Sequence, residues 1–154
     1  MEKDILIKKQ EFSLDLVEKL IPLSQDWIDE DISYGIVKNS IDDFLDKDIY
    51  VAYCNDVIIG YLLARSTIEE KGNSIIKKGS KVYYIEELFV SKKYRNQNVG
   101  KRLFNLAQQY GKETGARYID LITSDKDYKR IFNFYINQLG MEFFSANLIK
   151  KIGE

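Results

Sequence analysis

The sequence predicts an α+β fold, a mixed β-sheet with antiparallel strands first, a parallel central pair after them, and helices on its faces. Three observations predict it. Val57–Ile68 and Val82–Val90 are rich in the β-branched and aromatic residues of strands. Asn55-Asp56 joins Ile49–Cys54 to Val57–Ile68 as a pair suited to a tight hairpin turn, which makes those strands antiparallel. Strand, helix and strand then follow over Val82–Thr123, the length of a βαβ unit with parallel strands.

The remaining elements follow from local chemistry. Asp4–Lys9 reads as a short first strand. Ser13 caps a helix through Leu23, with Leu16, Val17, Leu20 and Ile21 on one face, and Pro22 is expected to end or bend it. Ser24–Gly35 is acidic and aromatic and is expected to be irregular. Ser40 and Asp43 form a capping-box pattern opening a short helix to Asp46. Glu69–Lys81, with Gly72, Asn73, Gly79 and Ser80 among charges, reads as a loop or a long hairpin tip. Leu103, Leu106, Ala107 and Tyr110 share a helix face, with Gly115 at its C-terminal end. Arg117–Thr123 reads as a strand, Tyr128–Gln138 as a helix and Glu142–Ile152 as a final strand region. No linker or repeat divides the chain, so residues 1–154 are read as one domain.

Composition removes several kinds of chemistry. The chain contains no histidine, which excludes Ser-His-Asp and Cys-His catalysis, imidazole metal sites and a His general base. Acid–base work falls to Glu, Asp, Tyr, Lys or the single Cys54, which reads as a buried strand residue and forms no intrachain disulfide. A formal charge of -1 argues against a nucleic-acid partner, because such binders carry a basic excess. No apolar run approaches the roughly 20 residues of a membrane span. Met1–Gln10 is too charged for a signal peptide, so a cytoplasmic location is expected.

Between Val90 and Gly100 lies Ser91-Lys92-Lys93-Tyr94-Arg95-Asn96-Gln97-Asn98-Val99, a turn from a strand into a helix. Backbone N–H groups exposed at a helix start, with its partial positive charge, make a site for phosphate or pyrophosphate. Arg95, Lys101 and Arg102 add to that field.

Tyr83-Tyr84-Ile85-Glu86-Glu87-Leu88-Phe89-Val90, then Tyr94-Arg95, then Val99-Gly100 and an amphipathic helix, resemble the GNAT superfamily of acyl-CoA-dependent N-acetyltransferases. Members show Arg or Gln, two residues, Gly, one residue, then Gly or Ala at this turn. Here Asn98 holds the place of the first glycine, and Asn best replaces Gly in a left-handed backbone. Phe134-Tyr135-Ile136-Asn137-Gln138-Leu139-Gly140-Met141-Glu142 resembles a second block of the family, in the right order and spacing. Tyr128 stands where the family often has an asparagine.

The resemblance implies a GNAT-like sheet whose parallel strands, Val82–Val90 and Arg117–Thr123, splay apart and take the pantetheine arm of acetyl-CoA between them. Backbone groups of Leu88 and Val90, flanking Phe89, would pair with that arm. The N–H groups of Arg95, Asn96, Gln97, Asn98, Val99, Gly100 and Lys101 would cradle the pyrophosphate. No metal is implied.

An acceptor amine has a pKa of about 10 and needs a base near neutral pH. Glu86 lies where polyamine-acetylating relatives carry one. Alternation along a strand would send Glu87 to the opposite face, so only one of the two is expected to face the cleft, and Glu86 is the expected base, with Glu87 beside the acceptor. Tyr135 is the expected acid for the departing thiolate. Asp26, Trp27, Asp29, Glu30 and Asp31 fall in the segment that relatives use around the acceptor, with carboxylates for a cation and Trp27 for a cation–π wall. The expected activity is direct acetyl transfer to a primary amine of a polyamine- or aminoglycoside-like molecule. A protein or peptide acceptor and a non-catalytic acyl-CoA sensor are the alternatives, and relatives are often homodimers.

Overall fold

The structure, a computed structural model, describes residues 4–154, so residues 1–3 of the domain expected over 1–154 lie outside the described residues. One sheet holds β1 Ile5–Gln10, β2 Asp48–Cys54, β3 Val57–Ile68, β4 Lys81–Val90 and β5 Tyr118–Leu121, side by side in chain order. The pairs β1–β2, β2–β3 and β3–β4 are antiparallel and β4–β5 is parallel, as the sequence predicts. Asn55 and Asp56 make the β2–β3 turn at φ 49° and 64°, the left-handed backbone that Asn and Asp tolerate.

Helices cover both faces. On one, α1 Leu14–Glu30 packs Leu16, Val17, Leu20 and Leu23 against Phe44, Ile49, Val51, Tyr61, Leu63 and Phe89. On the other, α2 Val99–Glu113 packs Val99, Leu103, Phe104 and Ala107 against Tyr50, Ala52, Leu62, Tyr83 and Ile85. Cys54 is buried in the second core. The Ser40–Asp43 capping box forms at a short 3-10 turn, Ile41–Phe44. No helix among the described residues is long and apolar enough to cross a membrane.

Four sequence expectations are corrected. Pro22 does not end α1, which runs on to Glu30 through the first part of the stretch expected to be irregular. Pro22 and Glu18, whose carbonyl loses its donor, both lie on the exposed side of the helix, where water can take the bond. The second parallel strand is shorter than Arg117–Thr123, pairing only over Tyr118–Leu121. The expected Tyr128–Gln138 helix is α3 Tyr128–Phe132 continued by a π-helical turn, Asn133–Gln138. Residues 142–152 form no strand.

The α1 extension is tied to the loop that follows it. Ser24 donates its hydroxyl to the Ile21 carbonyl at 2.6 Å and accepts the buried Asn39 N–H at 3.0 Å. Removing the hydroxyl leaves that N–H unpaired in the interior, at a cost of about 1–3 kcal/mol. Ser24→Ala is therefore expected to lower the urea midpoint with an unchanged m-value, measured by equilibrium unfolding.

Candidate active site

The site begins with a defect in β4. Its register with β3 shifts between Leu63, opposite Glu87, and Ala64, opposite Ile85, leaving Glu86 as an extra residue. Such a bulge suspends the period-two alternation and bends its strand. Ile85 and Leu88 pack toward the α2 core, whereas Glu86 and Glu87 both reach the α1 side. The expectation that these neighbours face opposite ways is thus corrected, because it assumes an unbulged strand.

The two carboxylates have different surroundings. Glu86 Oε1 accepts from Lys47 Nζ at 3.0 Å and also from Arg65 Nε, so its charge is balanced by two cations. Glu87 Oε2 accepts from the Tyr61 hydroxyl at 2.5 Å and from Asn39 Nδ2 at 2.9 Å, while Oε1 has no partner among the described residues. Burial pushes the Glu87 carboxyl above the usual carboxylate range. The Tyr61 and Asn39 donors work against that shift, and the nearby charges of Asp43 and Glu86 add to it. Burial likewise raises the Tyr61 phenol, so it stays protonated as a donor.

The bulge coincides with the end of parallel pairing. The last β4–β5 pair is Ile85 with Leu121, and among the described residues no strand lies beside residues 86–90 on that side. A cleft of about 860 Å³ opens there, with Leu88, Phe89 and Val90 on one wall and Ile122, Thr123 and Ser124 on the other. The loop after α1 crosses to the segment after β5: Tyr34 N–H donates to Ser124 O at 3.0 Å and Lys126 N–H to Ile32 O at 2.9 Å. A smaller pocket of about 320 Å³ adjoins it, lined by Trp27, Ile36, Asn39, Asp43, Glu86 and Glu87.

At the end of β4 the chain makes a 3-10 turn, Lys92–Tyr94, and enters α2 through Asn96 and Asn98. Their φ angles are 58° and 62°, so Asn98 has the left-handed backbone that its match to a glycine suggests. Asn98 O accepts the first helical bond, from Arg102 N–H at 2.9 Å, which leaves the N–H groups of Val99, Gly100 and Lys101 at the open helix start. Asn96, Asn98, Val99, Gly100 and Lys101 line the cleft, as does Lys92, which sequence reading passed over. Gln97 does not; its amide donates to Lys93 O at 3.0 Å. Gly100 lies under the Phe134 ring, whose Cζ would be 3.3 Å from an added Cβ.

Arg95 is engaged in the fold itself. Its Nε donates to Val90 O at 2.8 Å, and its other nitrogens hold the Glu30 carboxylate at 2.7 and 2.9 Å. Its backbone N–H already donates to Lys92 O at 3.3 Å. Arg102 reaches away to Ile5 O at 3.0 Å. Of the two guanidinium groups expected to reinforce an anion site, Arg95 lines the cleft while held by Val90 O and Glu30, Arg102 lies outside it, and Lys92 and Lys101 add cations beside the turn.

Among the acidic cluster expected around the acceptor, Glu30 is taken by Arg95. Asp26 and Asp29 are exposed outside both cavities, with Asp29 accepting from Gln25. Asp31 lies at the mouth of the larger cleft, paired with Lys126 at 2.6 Å. Trp27 is at the centre: its ring stacks on Phe89 at 5.3 Å, its Nε1 donates to Ser33 Oγ at 3.1 Å, and it lines both cavities. On the far wall Tyr135 packs against Phe104 and Phe134. Burial raises its phenol, and its hydroxyl has no hydrogen-bond partner among the described residues and is not sealed from the cleft. Tyr128 is exposed outside the cleft, against Phe132.

A mixed sheet that opens between parallel strands at a helix start is the framework of a GNAT-type acetyltransferase. The model of the acetyltransferase (GNAT) family matches residues 15–141, and the chain belongs to that family. Among solved structures it is similar to aminoglycoside acetyltransferase meta-AAC0020 from an uncultured soil metagenomic sample, solved in complex with trehalose (20% identity, TM-score 0.69, 97% of each chain covered). It is also similar to aminoglycoside N-acetyltransferase AAC(6')-Iy in complex with CoA (19% identity, TM-score 0.70, 99% of this chain and 97% of that one). A Trypanosoma brucei acetyltransferase is similar at 15% identity and TM-score 0.70, over 97% of this chain and 100% of that one. Among curated proteins, no sequence matches the chain significantly.

The left-handed Asn98 gives a direct check of the turn. A β-branched residue there costs roughly 1–2 kcal/mol, whereas glycine carries no such strain. Asn98→Val is expected to lower stability by that amount and Asn98→Gly to leave it equal or higher, both read from urea unfolding.

Proposed function

We propose that the chain transfers an acetyl group from acetyl-CoA directly to a primary amine of a small, cationic molecule of the polyamine or aminoglycoside kind. The observation that carries this reading is the cleft itself. It brings a half-buried carboxylate with a free oxygen, Glu87, and a protonated phenol, Tyr135, to opposite walls where the parallel strands part.

The residues present fit acyl-CoA. The edge of β4 at Leu88 and Val90 faces the gap without a strand partner, as an added strand-like pantetheine arm requires, although the Val90 carbonyl is already used by Arg95. The N–H groups at the start of α2, with Lys92 and Lys101 beside them, suit a pyrophosphate. This part of the site rests on backbone geometry, so Asn98 serves in place of glycine.

In this reading Glu87, not Glu86, is the base. Glu86 is balanced by Lys47 and Arg65, whereas Glu87 Oε1 is open to the proton of an incoming amine, directly or through water. Tyr61 and Asn39 are positioning residues that fix the other oxygen. The amine nitrogen bonds to the thioester carbonyl carbon and the C–S bond breaks. The amine proton passes toward Glu87, and the leaving sulfur takes a proton from Tyr135. Burial keeps that phenol protonated at neutral pH. No acyl-enzyme is involved, since the one thiol, Cys54, is buried in the core.

Trp27, Asp43 and Glu87 in the adjoining pocket suit a compact cationic acceptor. The strap formed by Ile32–Tyr34 against Ser124–Lys126 closes one side, which favours a small molecule over a peptide laid in an open groove. A lone thiol without a disulfide partner fits a reducing, cytoplasmic setting.

The test is a pH profile of kcat/KM over a panel of polyamines, aminoglycosides and peptides, followed by thiol release. Activity requires ionised Glu87, so it is lost as pH falls through a raised carboxyl pKa, and the acidic limb lies above the ordinary value of about 4.3. Glu87→Gln is expected to remove that limb and reduce turnover at pH near 7 by about 10²-fold, with part restored at high pH where the amine is already neutral. Tyr135→Phe is expected to lower kcat with CoA affinity retained. A Glu86→Gln variant that loses the limb while Glu87→Gln keeps it would reverse the assignment.

A further inference from the structure

On the α1 side of the sheet, the helix packs on Ile49, Val51, Tyr61, Leu63 and Phe89. Beyond that core, the next row on the same face is Arg65, Tyr84 and Asp120, one residue each from β3, β4 and β5, side by side in register. Their neighbours Ala64, Ile85 and Leu121 turn to the α2 core, so these three turn the other way. All three are half-buried. The row runs into the site already described. Glu86, which lines both cavities, holds Arg65, and Arg65 lies over the Tyr84 ring at 5.2 Å. Ile122, two residues beyond Asp120, is part of the cleft wall.

Asp120 carries the unbalanced charge in this row. Glu86 is met by two cations and Glu87 by two donors. Asp120 is met by no cation among the described residues, and its one donor is the Leu121 N–H. Burial raises its carboxyl above the ordinary range against that donor, and the charge of Glu69 adds to the shift. A half-buried carboxylate without a counter-charge destabilises the fold, and a cation arriving beside it removes that strain.

We propose that Asp120 seats a second ammonium group of the acceptor while the amine to be acetylated lies at Glu87. Three residues along β4 and one strand across separate the two positions, roughly 10 Å. The acceptor is therefore a molecule with two amino groups about that far apart, either a linear diamine or a two-ring aminoglycoside. A monoamine, or a diamine too short to reach, forgoes the second contact. This inference rests on the transfer reading above and adds to it a residue that selects the acceptor by the spacing of its charges.

The test measures thiol release from acetyl-CoA by the full chain with the eight-carbon α,ω-diamine, the four-carbon diamine putrescine, octylamine and the two-ring aminoglycoside neamine. The parent is expected to favour the eight-carbon diamine or neamine over octylamine and putrescine by about tenfold in kcat/KM, and which of the two it favours identifies the source. Asp120→Asn is expected to raise KM for the favoured substrate by about tenfold with kcat retained, and Asp120→Glu, which keeps the charge, to preserve the preference. Because it removes an unpaired charge whose folded pKa is raised, Asp120→Asn is also expected to unfold at an equal or higher urea midpoint at neutral pH. A lower midpoint would mark Asp120 as structural and overturn the proposal. A parent that acetylates octylamine as well as both longer acceptors, or an Asp120→Asn variant that keeps the preference, overturns this inference alone. A parent that acetylates no amine overturns the transfer reading and this inference together.

Discussion

One extra residue in β4 governs the rest of the site. The bulge at Glu86 falls directly after Ile85, the last residue of β4 that pairs with β5. Before it, β4 is paired on both sides. After it, the strand leaves its parallel neighbour, and a cleft opens where backbone would otherwise be hydrogen-bonded. The same insertion turns two consecutive carboxylates to the α1 side, where alternation would separate them. A gap and a pair of acids are consequences of one shift in register.

Helix α1 holds that arrangement in place from the outside. Its last turns supply Trp27, stacked on Phe89, and Glu30, forked to Arg95 at the start of the turn into α2. Arg95 in turn holds the carbonyl of Val90, so the end of β4, the turn and α1 are fastened by one guanidinium group. A bidentate, half-buried pair of this kind adds geometric definition as well as energy. A second chain of bonds runs from Ser24 through Asn39 to Glu87 and Tyr61. It supplies the donors that a half-buried carboxylate requires, leaving one oxygen free, and partial burial then sets the direction of its titration.

What the sequence disclosed was what local chemistry determines. Asn55-Asp56 needs only its own backbone preference to make a hairpin, and Asn98 likewise announces a left-handed turn. The Ser40–Asp43 capping box closes within four residues. The parallel pair follows from the length of chain between two strands. Properties set by distant partners stayed hidden. A bulge is a property of pairing, so the period-two rule placed Glu86 and Glu87 on opposite faces. Nothing near Arg95 marks Glu30, 65 positions away, as its partner. Nothing near Asn39 marks it as a donor to Glu87. Pro22 alone suggests an end or a bend, because its tolerance depends on which face of α1 meets water. Residues 142–152 have a strand's composition, but composition does not decide whether a segment is paired.

The central claim is that the gap opened by the bulge receives acyl-CoA along β4 and at the start of α2. An amide-resolved NMR titration of the parent chain with CoA addresses it most directly. The account predicts that the largest shifts fall on Leu88, Val90 and the amides from Asn98 to Lys101. It also predicts that Asn39 and the Trp27 indole move only when an acceptor amine is added. Shifts centred on another surface, with the β4 edge and the start of α2 unmoved at saturating CoA, would contradict it.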